Sequence, residues 1–305
     1  MTLGDAERQA IAEQRAAQTP TRRATVAALE AILFEPLPVL DHGFVRVVDY
    51  MGDDAAIVQA ARVSYGKGTK SVSSDAGLIN YLLRHRHSTP FEMCEVKLHV
   101  KLPIFVARQW IRHRTANVNE YSARYSILDR EFYLPAAEQV APQSAANRQG
   151  RGEALDRTAA EAIRERMRAA GDAGFDLYDE LLAGEGPETG LARELARGVL
   201  PLATYTQWYW KIDLHNLLHF VALRADPHAQ YEIQAYGRVL LDIVQKWVPL
   251  TYAAFVDHRL EAATLSRGQL AVVRRLVGGE TVAPGDSGLN PREWAELQQV
   301  LGDRG

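Results

Sequence analysis

In RQWIRHRTANVNEYSARYS, residues 108–126, four arginines (Arg108, Arg112, Arg114 and Arg124) stand beside His113, Asn117, Asn119, Glu120 and Ser122. Glu120 is the one acidic residue in the stretch. Guanidinium groups carry rigid forks of donors that suit phosphate oxygens and the carbonyls of a uracil-like imide. Arginines at helical spacing also form solvated faces, and spacing alone leaves that alternative open. The density of donors with few acidic neutralisers favours a phosphate-bearing small ligand.

A second set is His215 and His219, an i, i+4 pair that a helix would place on one face. Such a pair can bind zinc, with Asp213, Asp226 or His228 as a third ligand. The zinc protease pattern, however, puts a glutamate directly after the first histidine, and here that residue is Asn216. Hydrogen bonding to another group, a ligand among the possibilities, is the competing reading. No G-x-G-x-x-G turn, P-loop or G-x-S-x-G elbow occurs, and GKGTKS at 66–71 has the wrong spacing for a phosphate loop. The single cysteine, Cys94, excludes an intrachain disulfide and a thiolate metal cluster, and its place at the start of an apolar run reads as a buried structural position.

The elements that must position these residues are legible in part. EVKLHVK at 95–101 alternates apolar and polar residues with period two, the pattern of a half-buried antiparallel strand closed by Pro103. PIFVARQWIRHR then reads as a helix that carries Arg108 and Arg112 on one stripe and Gln109 and His113 on the next. Phe44 to Val48 and EFYLP at 131–135 read as further strands, and FEPLPVL at 34–40 as a connector. Helices are expected after Asp53 or Asp54, over SSDAGLINYLLRH, from about 153 to 182 with glycines that kink or interrupt it, over LARELARGVLP and DLHNLLHFVALR, and over HAQYEIQAYGRVLLDIVQKW with Tyr236, Leu240, Ile243 and Trp247 as its core stripe. The expected class is α+β, an antiparallel sheet flanked by long helices without a Rossmann unit.

Composition bounds the rest. The chain has 305 residues, 47% hydrophobic and 24% charged, with a formal net charge of −3. That balance argues against a general polyanion binder, so any anion site is local. No apolar run is long enough for a membrane span or a secretion signal, which makes the cytoplasm the expected location. Residues 1–40 read as a loosely attached helical arm, 41–258 as the main domain, and 259–305 as a charged, Gly-rich extension of unassigned role.

Arg112-His113-Arg114, seven residues, then Ser122 resembles RHR-x7-S, the signature of the flavin-dependent thymidylate synthases. HSTPFE, EVKLHVKLPIFVARQW, SARYS, EFYLP, ARGVLP and LRADPHAQYEIQ resemble the same family in the same order, over residues 45–255. The resemblance implies an FAD-binding homotetramer with active sites shared between subunits. It implies reductive methylation of dUMP to dTMP, with 5,10-methylenetetrahydrofolate as carbon donor, NADPH as reductant and no cysteine nucleophile. Carried over residue by residue, it points to Gln109, Arg112, Glu120, Ser122, Arg124, Arg197 and Arg224 for dUMP, with Arg224 at the uracil imide and Ser122 as a positioning group. For FAD it points to Thr89, Arg112, His113, Arg114, Glu120, Asp213, His215 and His219, with His87 and Ser64 nearby. Asp213, His215 and His219 depart from the asparagine and arginine common there in the family. The readings from other classes are a zinc hydrolase built on His215 and His219 and a basic-patch nucleic-acid binder.

Overall fold

This computed structural model describes residues 4–17, 19, 22–63, 72–145, 150–184 and 189–302, with 72–74 described as backbone alone. Helices α1 (Asp5–Ala16) and α2 (Ala27–Glu30) precede strands β1 (Leu37–Val39) and β2 (Gly43–Met51). Then come α3 (Asp54–Arg62), α4 (Val72–Arg84), α5 (Thr89–Glu92), β3 (Glu95–Pro103), α6 (Ile104–Trp110) and β4 (Asn117–Glu120). The second half holds α7 (Arg157–Ala183), α8 (Arg193–Ala196), β5 (Tyr205–Asp213), α9 (Leu214–Arg224), α10 (Tyr231–Trp247), α11 (Pro249–Phe255), α12 (Arg267–Val277) and α13 (Pro291–Leu301).

The five strands form one sheet in the order β1-β2-β3-β5-β4, and every ladder in it is antiparallel. Among the described residues there is thus no parallel βαβ ladder of the dinucleotide-binding kind, as the expected α+β class requires. The alternation of β3 sets the layers. Val100 stands opposite Val45 and Trp208, and Leu98 opposite Val47 and Trp210, and all six side chains are buried. Against that face lies Trp110, whose ring meets Trp210 at 5.0 Å and 88° and Phe220 at 4.7 Å, with Tyr236 at 5.8 Å. This aromatic cluster joins α6, α9 and α10 to the sheet, because large rings bury most area per side chain and prefer edge-to-face contacts. The α10 stripe of Tyr236, Leu240, Ile243 and Trp247 is fully buried, as its spacing predicts.

Several expectations are corrected. FEPLPVL contributes β1, an edge strand, where the missing N–H of Pro38 is tolerated. The β2 strand runs past the expected Val48 to Met51. EFYLP is no strand: Phe132 makes a single isolated bridge with Thr204. The strand that pairs with β3 is β5, whose Trp208, Trp210 and Ile212 alternate with Gln207, Tyr209 and Lys211 in plain period two. The long helix begins after Asp156, which accepts from the amides of Thr158 and Ala159, and its glycines do not interrupt it. Gly171 is there for space, since a Cβ would lie 2.4 Å from the Phe132 ring.

α6 is also shorter than its sequence suggests. It stops at Trp110, where the His113 amide turns back to the Trp110 carbonyl at 3.0 Å, so Arg112, His113 and Arg114 leave the helix as a turn. Cys94 is fully buried, as expected, with its thiol donating to the Asp53 carbonyl at 3.5 Å. Residues 255–305 form a separate compact unit, in which α12 and α13 are capped by Ser266 and Asn290 and enclose a small core of Val272, Val282 and Leu297. Among the described residues no helix is long and apolar enough to cross a membrane.

Candidate active site

The turn after α6 and the last turn of α9 meet in a cationic corner. Arg224 Nε donates to His113 Nε2 at 3.2 Å. Burial depresses the Arg224 pKa, and the neighbouring charge of Arg112 depresses it further. Among the described residues neither guanidinium has a carboxylate partner. Two like charges held together without a counter-ion repel each other, and an anion or an acidic imide placed between them would relieve that repulsion.

His113 shares this environment. Burial first, then Arg224 and His219, lower its pKa to about 4. The ring is neutral near pH 7, accepts through Nε2 and offers Nδ1–H as a donor. The Phe220 ring, 4.7 Å away edge-on, and His219, 5.7 Å away, hold it in place. Gly237 allows α10 to approach the end of α9, since a Cβ would come within 2.9 Å of the Ala225 nitrogen and the Arg224 carbonyl carbon.

A cleft of about 520 Å³ opens at the end of β4 and brings together Glu120, Ser122 and Arg197. Thr206 on β5 donates to Glu120 Oε1 at 2.8 Å across the sheet edge and fixes the carboxylate. The Ser122 carbonyl accepts from the amides of Tyr125 and Ser126, and its Oγ accepts from the Arg124 amide at 3.3 Å. Among the described residues no histidine or carboxylate hydrogen-bonds to Ser122, so no base activates it as a nucleophile. Arg124 meets Glu194 at 3.2 Å, and both side chains are more than half exposed, so the pair is weak and readily exchanged. Gln109 stands apart from this cleft and donates to Gln230.

At the other end of β4 a smaller pocket of about 280 Å³ joins Arg114 and Asn117 to Lys211 and Asp213 of β5. Asp213 is the N-cap of α9: Oδ1 accepts from the Asn216 amide at 2.9 Å and Oδ2 from the Asn216 side chain at 2.6 Å. His215 is half-buried and His219 exposed on that helix. Thr89 is exposed at the start of α5, which packs against α9. His87 is exposed and stacks on Tyr81 at 6.0 Å. Ser64 lies outside the described residues. Among the described residues no three His, Cys, Asp or Glu side chains are placed to hold a metal.

Sequence reasoning named Asn117 but missed its cross-strand partner Lys211, whose placement needs the β4–β5 register, and missed Gln230, Glu232, Tyr133 and Arg151, which form one polar network. The exposed strand β4 itself carried a weak signal, Asn-Val-Asn-Glu.

The sequence model of the family described as thymidylate synthase complementing protein matches residues 46–250. The chain belongs to the flavin-dependent thymidylate synthases. It is 65% identical over 301 residues to the flavin-dependent thymidylate synthase of Gluconobacter oxydans, covering 99% of each chain. It is 61% identical over 302 residues to that of Ruegeria pomeroyi, covering 99% of this chain and 100% of the relative. These alignments include both tails, which the resemblance over 45–255 left aside. Among solved structures it is similar to the UMP/dUMP methylase PolB of Streptomyces cacaoi bound with 5-Br dUMP, with a TM-score of 0.65 and 32% identity over 73% of this chain and 99% of that one.

Proposed function

We propose that this flavin-dependent thymidylate synthase family member converts dUMP to dTMP as a cytoplasmic homotetramer. FAD is the bound cofactor, 5,10-methylenetetrahydrofolate the carbon donor and NADPH the reductant. The observation that carries the reading is the corner where Arg112 and Arg224 lack a counter-ion beside a neutral His113. Its uncompensated cations and neutral imidazole suit an acidic imide and a carbonyl-rich ring.

Arg224 stabilises the ionised uracil imide and the enolate-like charge that develops on the pyrimidine during reduction. Arg197, Arg124 and the amides beside Ser122 hold the nucleotide phosphate, with Arg124 exchanging its exposed partner Glu194 for the ligand. Ser122 and the fixed carboxylate of Glu120 orient the nucleotide in the cleft, and Gln109 and Arg112 complete its contacts.

The donor set also fits a flavin. Arg112, Arg114 and His113 Nδ1–H offer donors to ring carbonyls or to phosphates, while both oxygens of Asp213 are engaged by Asn216 and leave its charge partly satisfied. Thr89, Glu120, His215 and His219, with His87 and Ser64 nearby, are assigned to the same cofactor. Bound FAD supplies the hydride. Cys94 takes no part: burial, together with Asp53 and Asp54, pushes its thiol up to about 12, so it stays protonated and inert. Residues 41–258 carry the chemistry, with 1–40 as an N-terminal arm and 259–305 as a C-terminal extension of unassigned role.

The test is direct. Purified protein should turn yellow with FAD, oxidise NADPH in a dUMP-dependent manner, and yield dTMP when methylenetetrahydrofolate is supplied. Protein that binds no flavin and forms no dTMP refutes the proposal.

A further inference from the structure

Gln109, assigned above to dUMP, is not at liberty to present either end of its amide. Its Nε2 donates to Gln230 Oε1 across 121 residues of chain, and Gln230 Nε2 donates to Glu232 Oε2 at 2.8 Å. Glu232 is 1% exposed, and its other oxygen accepts from the Tyr133 hydroxyl at 3.0 Å and from the Arg151 guanidinium. Burial opposes the charge on Glu232, but the bonds from Arg151 and Gln230 outweigh it and hold the carboxyl below its ordinary pKa.

Polarity propagates from that buried charge. A carboxylate only accepts, so Gln230 must turn its nitrogen toward Glu232 and its oxygen toward Gln109. Gln109 must answer with nitrogen, which leaves its Oε1 as the end presented outward. Among the described residues no donor reaches that oxygen.

We propose that Gln230 and Glu232 are positioning residues of the substrate site, a directional relay that fixes the Gln109 amide as an acceptor and selects an O–H or N–H donor on the nucleotide. The inference rests on the assignment of Gln109 to dUMP. As positioning residues Gln230 and Glu232 act on binding geometry through Gln109.

The experiment uses the full chain loaded with FAD, dUMP affinity by calorimetry, and kcat and KM separately. In Glu232→Gln the side-chain oxygen still accepts from Tyr133 and Arg151, but a nitrogen replaces Oε2 and reverses both glutamines. The Kd and KM for dUMP should rise about tenfold, the worth of one hydrogen bond made or misdirected, with kcat and flavin content little changed. Combining Gln230→Glu with Glu232→Gln puts the acceptor-only group in the middle of the relay and should bring the Kd back to within about threefold of the unmodified enzyme. Gln230→Ala, at an exposed residue, should lose the same tenfold without threatening the fold. With 2′,3′-dideoxy-UMP and N3-methyl-dUMP, the penalty should vanish for the analogue that lacks the donor.

Unchanged dUMP affinity in Glu232→Gln or Gln230→Ala overturns the relay, as does a penalty that persists with both analogues, or a folded, yellow double variant that fails to recover. Unchanged affinity in Gln109→Ala shows instead that Gln109 is no contact, and the relay falls with it. An unmodified enzyme that does not bind dUMP removes the proposed function itself.

Discussion

Arg112 and Arg224 set the chemistry of the corner because nothing acidic in the described chain neutralises them. Arg224→Ala should lower turnover of dUMP by roughly a hundredfold or more, the size of effect seen when one preorganised donor is removed from a site of developing charge. Its melting temperature should hold, since the side chain contributes one hydrogen bond, and single-turnover kinetics beside thermal melts would check both halves. An Arg224→Ala enzyme with ordinary turnover is the result that sinks this role. The same substitution removes one of the causes that depress His113, so the imidazole pKa should rise from about 4, readable by NMR titration. His113 also predicts a pH dependence of stability. Its folded pKa lies below the unfolded value of about 6.5, so the unfolded chain takes up the proton first as pH falls. The stability associated with neutral His113 is fully present above about pH 6.5 and is lost as pH falls toward 4. Melting curves at pH 7, 6 and 5 should be less steeply dependent on pH in His113→Gln than in the parent, and equal slopes would remove the claim.

At the scale of elements, two contacts decide how the site is held. α9 starts at Asp213, whose carboxylate caps the helix that carries His215, His219 and Arg224. Asp213→Ala should cost about 1 kcal/mol of stability, whereas Asp213→Asn keeps a good cap and should melt close to the parent. Flavin affinity measured on Asp213→Asn then isolates any role of the charge, and a large loss there would show that capping is not the residue's main duty. α10 meets the end of α9 at Gly237, where a Cβ would stand only 2.9 Å from the Ala225 nitrogen and the Arg224 carbonyl carbon. Gly237→Ala should therefore push the Arg224 turn aside, with a loss of roughly 1–3 kcal/mol in stability and a fall in activity beyond that from unfolding. Wild-type melting and activity in this variant would show that the interface yields without strain.

At the scale of the molecule, the sheet and the aromatic cluster around Trp110 pack together, with the two polar pockets at opposite ends of β4. In the proposed function the arginines of the corner, the Glu120–Ser122–Arg197 cleft and the Arg114 pocket take partners from outside the one chain. The homotetramer supplies those partners in the proposed function. Light scattering of the FAD-loaded protein should give the mass of four chains, and a fully active monomer would rule out sites shared between subunits.

By itself the sequence determined what local periodicity and residue type can determine. The alternation of 95–101 gave β3, the spacing of Tyr236, Leu240, Ile243 and Trp247 gave the buried stripe of α10, and RHR-x7-S with its flanking segments gave the family. Where α6 ends was decided by tertiary structure, because Trp110 is anchored in a cluster built from β5, α9 and α10, and the chain must turn once that ring is seated. β5 shows the period-two pattern plainly, yet its pairing with β3 joins residues more than a hundred positions apart. The same holds for Arg224 on His113 and for Gln109 on Gln230. Such contacts are fixed by the packing of distant elements, and no pattern within a window of residues records which side chain will face which.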